Sequence, residues 1–197
     1  GAAQPGDTVF VLPGTYYPDS EQWIETIGTK DRPIVFTQYQ NDSAVFDGSQ
    51  ANLSKETQAI LLFGHCRHVI VDGLEVQHSV GRGISVYEAN HVTIKNCVVH
   101  DIEQRGIGGS GNNIVVENNE CYRCAMKNED QYYGNGGWPG VIQPTYFWST
   151  GEFSRNWLIK GNHVHHSWGE GIIVASTNGC IVSGNTVEDV FSVCIYV

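Results

Sequence analysis

A pattern of short apolar and polar stretches returns about every 22 residues over most of this chain. Its five copies align with one another at Val71, Ile94, Val116, Ile159 and Val182. Successive starts lie 23, 22, 43 and 23 residues apart, so one copy carries extra residues. A fixed period of this size indicates stacked supersecondary units, each of which buries its apolar side only against its neighbours.

Each copy divides into three short apolar pieces. In the second copy these are Val92–Ile94, then Val98–Val99 after a tight polar turn, then Gly106–Ile107. Strand-like alternation, β-branched residues and Gly/Asn turns favour three short strands per unit over a helical repeat. Parallel strands joined by such crossovers are right-handed. The sequence therefore predicts an all-β fold, a right-handed parallel β-helix with coils of about 22 residues.

The segments 5–16, 30–36 and 44–48 look like the entry strand and first coil of one known superfamily. With these segments and its repeat, the chain resembles the right-handed parallel β-helix superfamily that contains pectate lyase, alginate lyase and chondroitinase-like proteins. The resemblance implies an extracellular polysaccharide as substrate or ligand, and a secreted or cell-surface location. The superfamily's catalytic residues match no motif here, so none of them is carried over.

We expect a single domain over residues 1–197, taken from a longer chain because neither end has a recognisable capping unit. The extra residues form two insertions, at about 125–138 and 144–156, on either side of the piece that starts at Gly140. Insertions of this kind form loops on one face of a solenoid, which is often the binding face.

The formal net charge is −10, which argues against nucleic acid as a partner because nucleic-acid binding needs a basic surface. It also argues mildly against an acidic sugar, unless Ca²⁺ or local Arg and Lys residues offset it. No apolar run approaches the length of a membrane span.

Three kinds of residue recur in columns along the repeat. Cys121 and Cys180 share columns with aliphatic residues, so we expect mainly buried thiols rather than disulfides. Asn119, Asn162 and Asn185 share a turn position, which predicts an amide ladder between coils. A third column contains charged and imidazole side chains, and we interpret it as charge pairing between coils: His78, Asp101, Arg123, His166 and Asp189.

His163 and His165 alternate along one predicted strand, an arrangement that suits a metal ion. The repeat does not fix a third ligand beside them, so we predict no metal site.

The two insertions and the neighbouring coils outline a candidate sugar-binding groove. Arg105 and Glu170 precede the glycine of their coils, as Arg82 does, and Pro139 takes this position in the inserted coil. Flat aromatic rings suit stacking on sugar rings. The predicted substrate-binding residues are Arg82, Tyr132, Trp138, Tyr146, Trp148 and Trp168. The predicted catalytic residues are Arg105, Lys127, Tyr133 and Glu170.

Two reactions fit these residues. In a lyase, Arg105 would neutralise a uronate carboxylate, and Lys127 or Tyr133 would act as the base. In a glycosidase, Glu170 would work with Glu129 or Asp130. Ca²⁺ remains possible but has no motif, because the predicted outward positions of this sheet lack acidic ligands: Ser85, Gly108, Ile142, Ile173 and Tyr196.

Three functions therefore stay open. The chain is a carbohydrate-active enzyme of the lyase or hydrolase type, a non-catalytic sugar-binding module, or a structural β-helix that assembles end to end through its open coils. The last alternative allows a homo-oligomer.

Overall fold

The computed structural model describes residues 3–40, 42–53, 57–130 and 138–197. These residues contain 22 strands and two short 3₁₀ helices, η1 (Gly48–Gln50) and η2 (Met126–Asn128). Neither helix has the length or apolar character to cross a membrane. The strands, in chain order, are β1 (Thr8–Val11), β2 (Gly14–Tyr16), β3 (Gln22–Ile24), β4 (Ile34–Gln38), β5 (Ala44–Asp47), β6 (Ala59–Gly64), β7 (Arg67–Asp72), β8 (Glu75–Ser79), β9 (Arg82–Lys95), β10 (Val98–Ile102), β11 (Ile107–Asn112), β12 (Val115–Glu117), β13 (Glu120–Cys124), β14 (Gly140–Pro144), β15 (Ser154–Arg155), β16 (Leu158–Lys160), β17 (His163–His165), β18 (Glu170–Ile173), β19 (Thr177–Asn178), β20 (Ile181–Ser183), β21 (Thr186–Val187) and β22 (Ile195–Tyr196).

The strands form two parallel sheets. The long sheet has 15 strands, and its main path runs β1-β4-β7-β9-β11-β14-β18-β22. The short sheet has seven strands in the order β2-β5-β8-β10-β13-β17-β21. Each coil passes from the long sheet to the short sheet and back again, one coil after another. The predicted parallel β-helix is therefore confirmed.

The five aligned starts of the repeat stack inside the helix as predicted. Val71 pairs with Ile94, which pairs with Val116, and the series continues through Ile159 to Val182. The first four side chains are fully buried, and Val182 is partly buried against the same core. Burying one aliphatic side chain of this size contributes roughly 1.5–3 kcal/mol, so this column is a principal source of stability.

The cysteines belong to the core, as the columns indicated. Cys121 lies between Val99 and Val164 in the short sheet and is fully buried. All six cysteines are free thiols, and four of them are buried. Burial raises the pKa of the Cys97 thiol to about 12, because the thiolate would lie in an apolar surrounding.

The predicted asparagine ladder is present and buried. The Nδ2 atom of Asn119 donates to Oδ1 of Asn162 at 2.9 Å, and Nδ2 of Asn162 donates to Oδ1 of Asn185 at the same distance. A second ladder, which the sequence analysis missed, joins Asn90, Asn113 and Asn156 at the next corner of the coils.

The column of charged and imidazole residues lies at a corner where the backbone is left-handed. The φ angles of its five members lie between 48° and 54°. Its charge pairing between coils is confirmed, since Arg123 Nε lies 2.5 Å from Asp101 and His166 Nε2 lies 3.4 Å from Asp189. These contacts help to offset the cost of a left-handed conformation in residues other than glycine.

One predicted register is wrong by a single residue. Ile142, not Val141, pairs with Ile107 and with Ile172, and Gly140 pairs with Glu170. Ile142 is therefore fully buried, and the outward position assigned to it belongs to Gln143, which pairs with Gly108. The alignment failed because Val141 and Ile142 are both apolar and both buried, so the apolar pattern could not distinguish them.

Candidate functional site

The hydrogen bonding at the start of β9 departs from the regular strand pattern, and several side chains there lie on the outside of the long sheet. The amides of Gly83 and Ile84 both donate to the next coil, at 3.1 and 2.9 Å, whereas donors of a regular strand alternate between its two neighbours. As a result Ile84 points into the core, while Arg82 and Ser85 share the outer face with Tyr87.

An aromatic cluster covers this outer face over the first coils. The ring centroid of Trp23 lies 5.8 Å from that of Tyr87 and 5.9 Å from that of His65. Gly64 lies directly beneath Trp23, and a Cβ atom there would collide with the indole. Glycine at position 64 therefore lets the indole lie flat on the sheet.

The second insertion brings another tryptophan to the same place. Both of its ends are anchored to β11: the Thr145 amide donates to the Gly109 carbonyl, and the Gly111 amide donates to the Ser154 hydroxyl oxygen. The ring of Trp148 packs at 5.1 Å on Tyr146 and is largely exposed. Two predicted residues, Trp148 and Tyr146, are thereby held beside β9.

Together these elements enclose a groove of about 500 Å³, which we call the aromatic groove. Its lining residues are Glu21, Trp23, Thr57, Gln58, Leu62, Arg82, Tyr87 and Trp148.

Arg105 lies on the coil next to Arg82 and is the most unusual charge of this face. It is only 7% exposed, and its Nε and Nη2 atoms donate to Oε1 of Gln143 at 3.2 and 2.9 Å. Its Nη1 atom is buried and has no partner in the described part of the chain. Burial, and then the neighbouring charge of Arg82, lowers the pKa of Arg105 to about 9.

Two further features complete this arginine site. The Arg105 side chain crosses Gly108, where a Cβ atom would collide with it, so glycine permits the close approach. Ser85 pairs with Gly108, and its hydroxyl is also buried without a hydrogen-bond partner among the described residues. Burial lowers the pKa of Arg82 as well, although Glu21 opposes this effect. Arg82, which lines the groove, therefore has a second desolvated cation and an unused hydroxyl on the adjoining part of the sheet.

The part of the sheet face around Glu170 is separate from the aromatic groove. Glu170 lies two strands beyond Arg105, because Gly140 takes the position between them. Burial raises the pKa of Glu170, and a hydrogen bond from Trp138 opposes that rise. Trp138 and Trp168 both pack on Phe191; their ring centroids lie 5.4 and 5.5 Å, respectively, from that of Phe191. The structure thus divides the predicted aromatic residues between two places.

Lys127, another predicted residue, lies away from the sheet face. The Lys127 amide donates to the Glu103 carbonyl at 3.1 Å, on the turn between the two sheets. Glu129 lies on this turn too, where burial and then its charge raise the pKa of Glu103. Tyr132 and Tyr133 fall outside the described residues.

Sequence reasoning missed Trp23, His65 and Tyr87. Tyr87 could have been found, because it follows the outward position Ser85 by two residues on the same strand. Trp23 and His65 belong to coils in which the repeat is weak.

A carboxylate that the sequence repeat did not predict lies beside the two alternating histidines. His163 pairs with Glu120 on the adjacent strand, and Nε2 of His165 lies 3.2 Å from Oε1 of Glu120. The pairing of β13 with β17 thus brings a carboxylate beside the two histidines.

Comparison with known proteins agrees with this architecture. A family model described as the Pel9A-like right-handed β-helix region matches residues 1–137. The chain belongs to this family. Among curated proteins, the uncharacterised protein YwoF of Bacillus subtilis is 30% identical over 111 residues, which cover 51% of this chain and 23% of that protein.

Solved structures with the same fold include enzymes of two classes. Pectate lyase Pel9A matches with a TM-score of 0.65 and 19% identity, over 90% of this chain and 47% of that one. A rhamnogalacturonan lyase matches with a TM-score of 0.63 and 15% identity, over 98% of this chain and 55% of that one. The GH136 lacto-N-biosidase of Eubacterium ramulus matches with a TM-score of 0.65 and 15% identity, over 87% of this chain and 37% of that one. This chain therefore spans about half or less of the length of these enzymes, and the likeness establishes the fold.

Proposed function

We propose that this chain binds an acidic polysaccharide across the outer face of the long sheet. A uronate carboxylate is held by Arg105 and Arg82, and neighbouring sugar rings stack in the aromatic groove. The observation that carries this proposal is the buried Nη1 atom of Arg105, which has no partner among the described residues.

The electrostatics of the arginine pair favour an anionic ligand. A buried cation is stable only when it is paired and hydrogen-bonded. Arg105 has a neutral amide as its partner and a second arginine as its neighbour. A carboxylate can accept two parallel N–H bonds from one guanidinium, so it would satisfy Nη1 and relieve the repulsion between the two cations.

The aromatic groove suits the remainder of such a ligand. Trp23, Tyr87 and Trp148 present rings around one concavity, and Glu21 and Thr57 provide polar groups at its edge. Pyranose rings have apolar faces and polar edges, and aromatic pockets with a few polar groups recognise that combination. The net charge of −10 opposes an acidic ligand at long range, but the arginine pair offsets it locally.

If the bound polysaccharide is cleaved, the arginine site supports β-elimination. Neutralising the carboxylate acidifies the proton on the adjacent ring carbon. A base then takes that proton, a carbon–carbon double bond forms, the bond from the next carbon to the glycosidic oxygen breaks, and the departing oxygen takes a proton from water to become a hydroxyl. Arg105 takes the charge-neutralising role. Lys127 lies on the turn between the two sheets, so Tyr133, which falls outside the described residues, stays the predicted base. A protein of this function acts outside the cell, and we propose a secreted or cell-surface location.

Hydrolysis is the second candidate, and one observation favours it. Burial raises the pKa of Glu170, and a carboxyl group whose pKa is raised is suited to act as a general acid. Its predicted partner Glu129 faces Glu103 on the turn. The lyase-type site therefore has the stronger support.

The proposal is tested by titrating tryptophan fluorescence with an oligogalacturonide and with an uncharged oligosaccharide of equal length. We expect the acidic ligand to bind and the neutral one to bind much more weakly. Arg105→Ala should reduce affinity about 10- to 100-fold, the usual effect of losing a charged hydrogen-bond donor. Arg67→Ala removes an exposed arginine on β7 and serves as the matched control. Unchanged affinity in Arg105→Ala, with normal unfolding behaviour, would refute the site.

Product formation distinguishes the reactions. An elimination produces an unsaturated sugar with new ultraviolet absorbance, whereas hydrolysis yields a reducing end alone. Binding without either product would assign a non-catalytic sugar-binding module.

A further inference from the structure

A second cluster of functional side chains lies on the outer face of the short sheet, remote from the aromatic groove. Glu120 on β13 and His163 and His165 on β17 each direct one ligand atom to a common point, and these atoms lie within 4.8 Å of one another. We propose that they form a binding site for a divalent transition-metal ion, with Zn²⁺ as the physiological occupant.

The strand geometry fixes the three ligands. Side chains two residues apart on a strand face the same way, so His163 and His165 both point outward. The parallel register then places Glu120 opposite His163, one strand spacing away. Ligands on two paired strands of a rigid solenoid are preorganised, unlike ligands on loops.

Neighbouring residues orient the imidazoles. The His165 ring stacks on Tyr122 at 5.2 Å with an angle of 8° between the planes. Its Nδ1 atom lies 2.7 Å from Nδ1 of His166, while its Nε2 atom faces Glu120. A metal ligand of the histidine type normally has its second nitrogen engaged in this way, because that contact fixes the ring and the tautomer.

The next coil supplies a fourth group. The Oε1 atom of Glu188 lies 2.9 Å from Nε2 of His163. Glu120 and His163 belong to successive coils, so one ion would connect two turns of the solenoid, and Glu188 on the third coil would hold His163 in place. Binding to the folded chain alone would also stabilise it by mass action.

The donor set selects the kind of metal. Two imidazole nitrogens and one carboxylate suit Zn²⁺, Co²⁺, Ni²⁺ or Cu²⁺, whereas Ca²⁺ and Mg²⁺ prefer oxygen ligands alone. The carboxylates of Glu120 and Glu188 balance the charge of the ion. His163 is half exposed, so the ion can enter from solvent.

Isothermal titration with Zn²⁺, followed by Co²⁺ absorption spectroscopy, tests the proposal on the unmodified chain. We expect one ion per chain and a cobalt spectrum typical of nitrogen and oxygen ligands. His165→Gln and Glu120→Gln should each weaken binding by about 100-fold or more, beyond the 10- to 100-fold effect of losing an outer partner such as Glu188.

Two controls separate this site from other donors. His68 and His91 stack at 4.6 Å elsewhere on the surface, so His91→Gln should leave Zn²⁺ affinity unchanged. Exposed Cys194 would produce a sulfur-to-cobalt charge-transfer band if it held the ion. Loss of binding in His91→Gln, a thiolate band, or equal affinity in His165→Gln and the unmodified chain would each overturn the proposal. The readout is independent of sugar binding, so failure here leaves the proposed function unaffected.

Discussion

Replacing the buried Asn162 with alanine should destabilise this β-helix more than a substitution at an exposed asparagine would. Its side-chain amide is 1% exposed and makes four hydrogen bonds. Oδ1 accepts from the backbone and side-chain amides of Asn119, and Nδ2 donates to Val116 and Asn185.

The magnitude follows from the groups that lose their partners. The buried backbone amide of Asn119 would lose the Oδ1 acceptor of Asn162, which costs about 1–3 kcal/mol. Each of the other three bonds contributes about 1 kcal/mol, and partial relaxation reduces the sum. We expect a loss of roughly 3–5 kcal/mol. Asn156→Ala breaks one exposed bond of the second ladder and puts alanine at a left-handed φ of 56°, so it should cost about 1–2 kcal/mol, clearly less than Asn162→Ala.

Urea unfolding should be combined with amide hydrogen exchange, because solenoids can unfold coil by coil. We expect the Asn119 amide to lose most of its protection from hydrogen exchange in Asn162→Ala, whereas it should stay protected in Asn156→Ala. Equal losses of stability in the two variants, or full protection of the Asn119 amide, would refute the reasoning.

The other predictions concern the core, the thiols and acid stability. Ile159→Ala should cost about 2–5 kcal/mol in urea titration and Thr93→Ala, on the outer side of the same stack, much less; equal costs would contradict the inward assignment. Thiol titration of the unfolded chain without reductant should find all six cysteines free, and Cys97 and Cys121 should react slowly in the folded chain; three disulfides would reverse this assignment. Burial alone would raise the pKa of Asp47, but hydrogen bonds from Ser49, His78 and Gln77 outweigh it and hold the pKa well below its usual value. Because the folded pKa is the lower one, this stabilisation is complete above about pH 4 and is lost as the pH falls further, so Asp47→Asn should flatten the acid limb of a stability profile.

The repeat allowed the fold to be predicted because each coil carries the same physical requirement. Val71, Ile94, Val116 and Ile159 occupy equivalent inward positions, and buried asparagines recur at one turn. Such a pattern is legible from one sequence because every coil packs against a copy of itself.

The candidate site was harder to predict because it depends on departures from the repeat. The register at Gly140 is ambiguous when two adjacent residues are apolar, and the irregular hydrogen bonding at Gly83 and Ile84 changes which side chains face outward. Trp23 reaches Tyr87 across coils whose sequences are irregular. Contacts of this kind are set by three-dimensional packing and leave no periodic signal.

The most direct test of the central claim compares one oligogalacturonide with its fully methyl-esterified form by isothermal titration calorimetry. The two ligands share rings and linkage, and they differ in the negative charge that Arg105 and Arg82 are proposed to neutralise. We expect the free acid to bind and esterification to weaken the affinity about 10-fold or more, which is the usual effect of losing a charge-assisted hydrogen bond. Equal affinity for both ligands, or tighter binding of the ester, would contradict it.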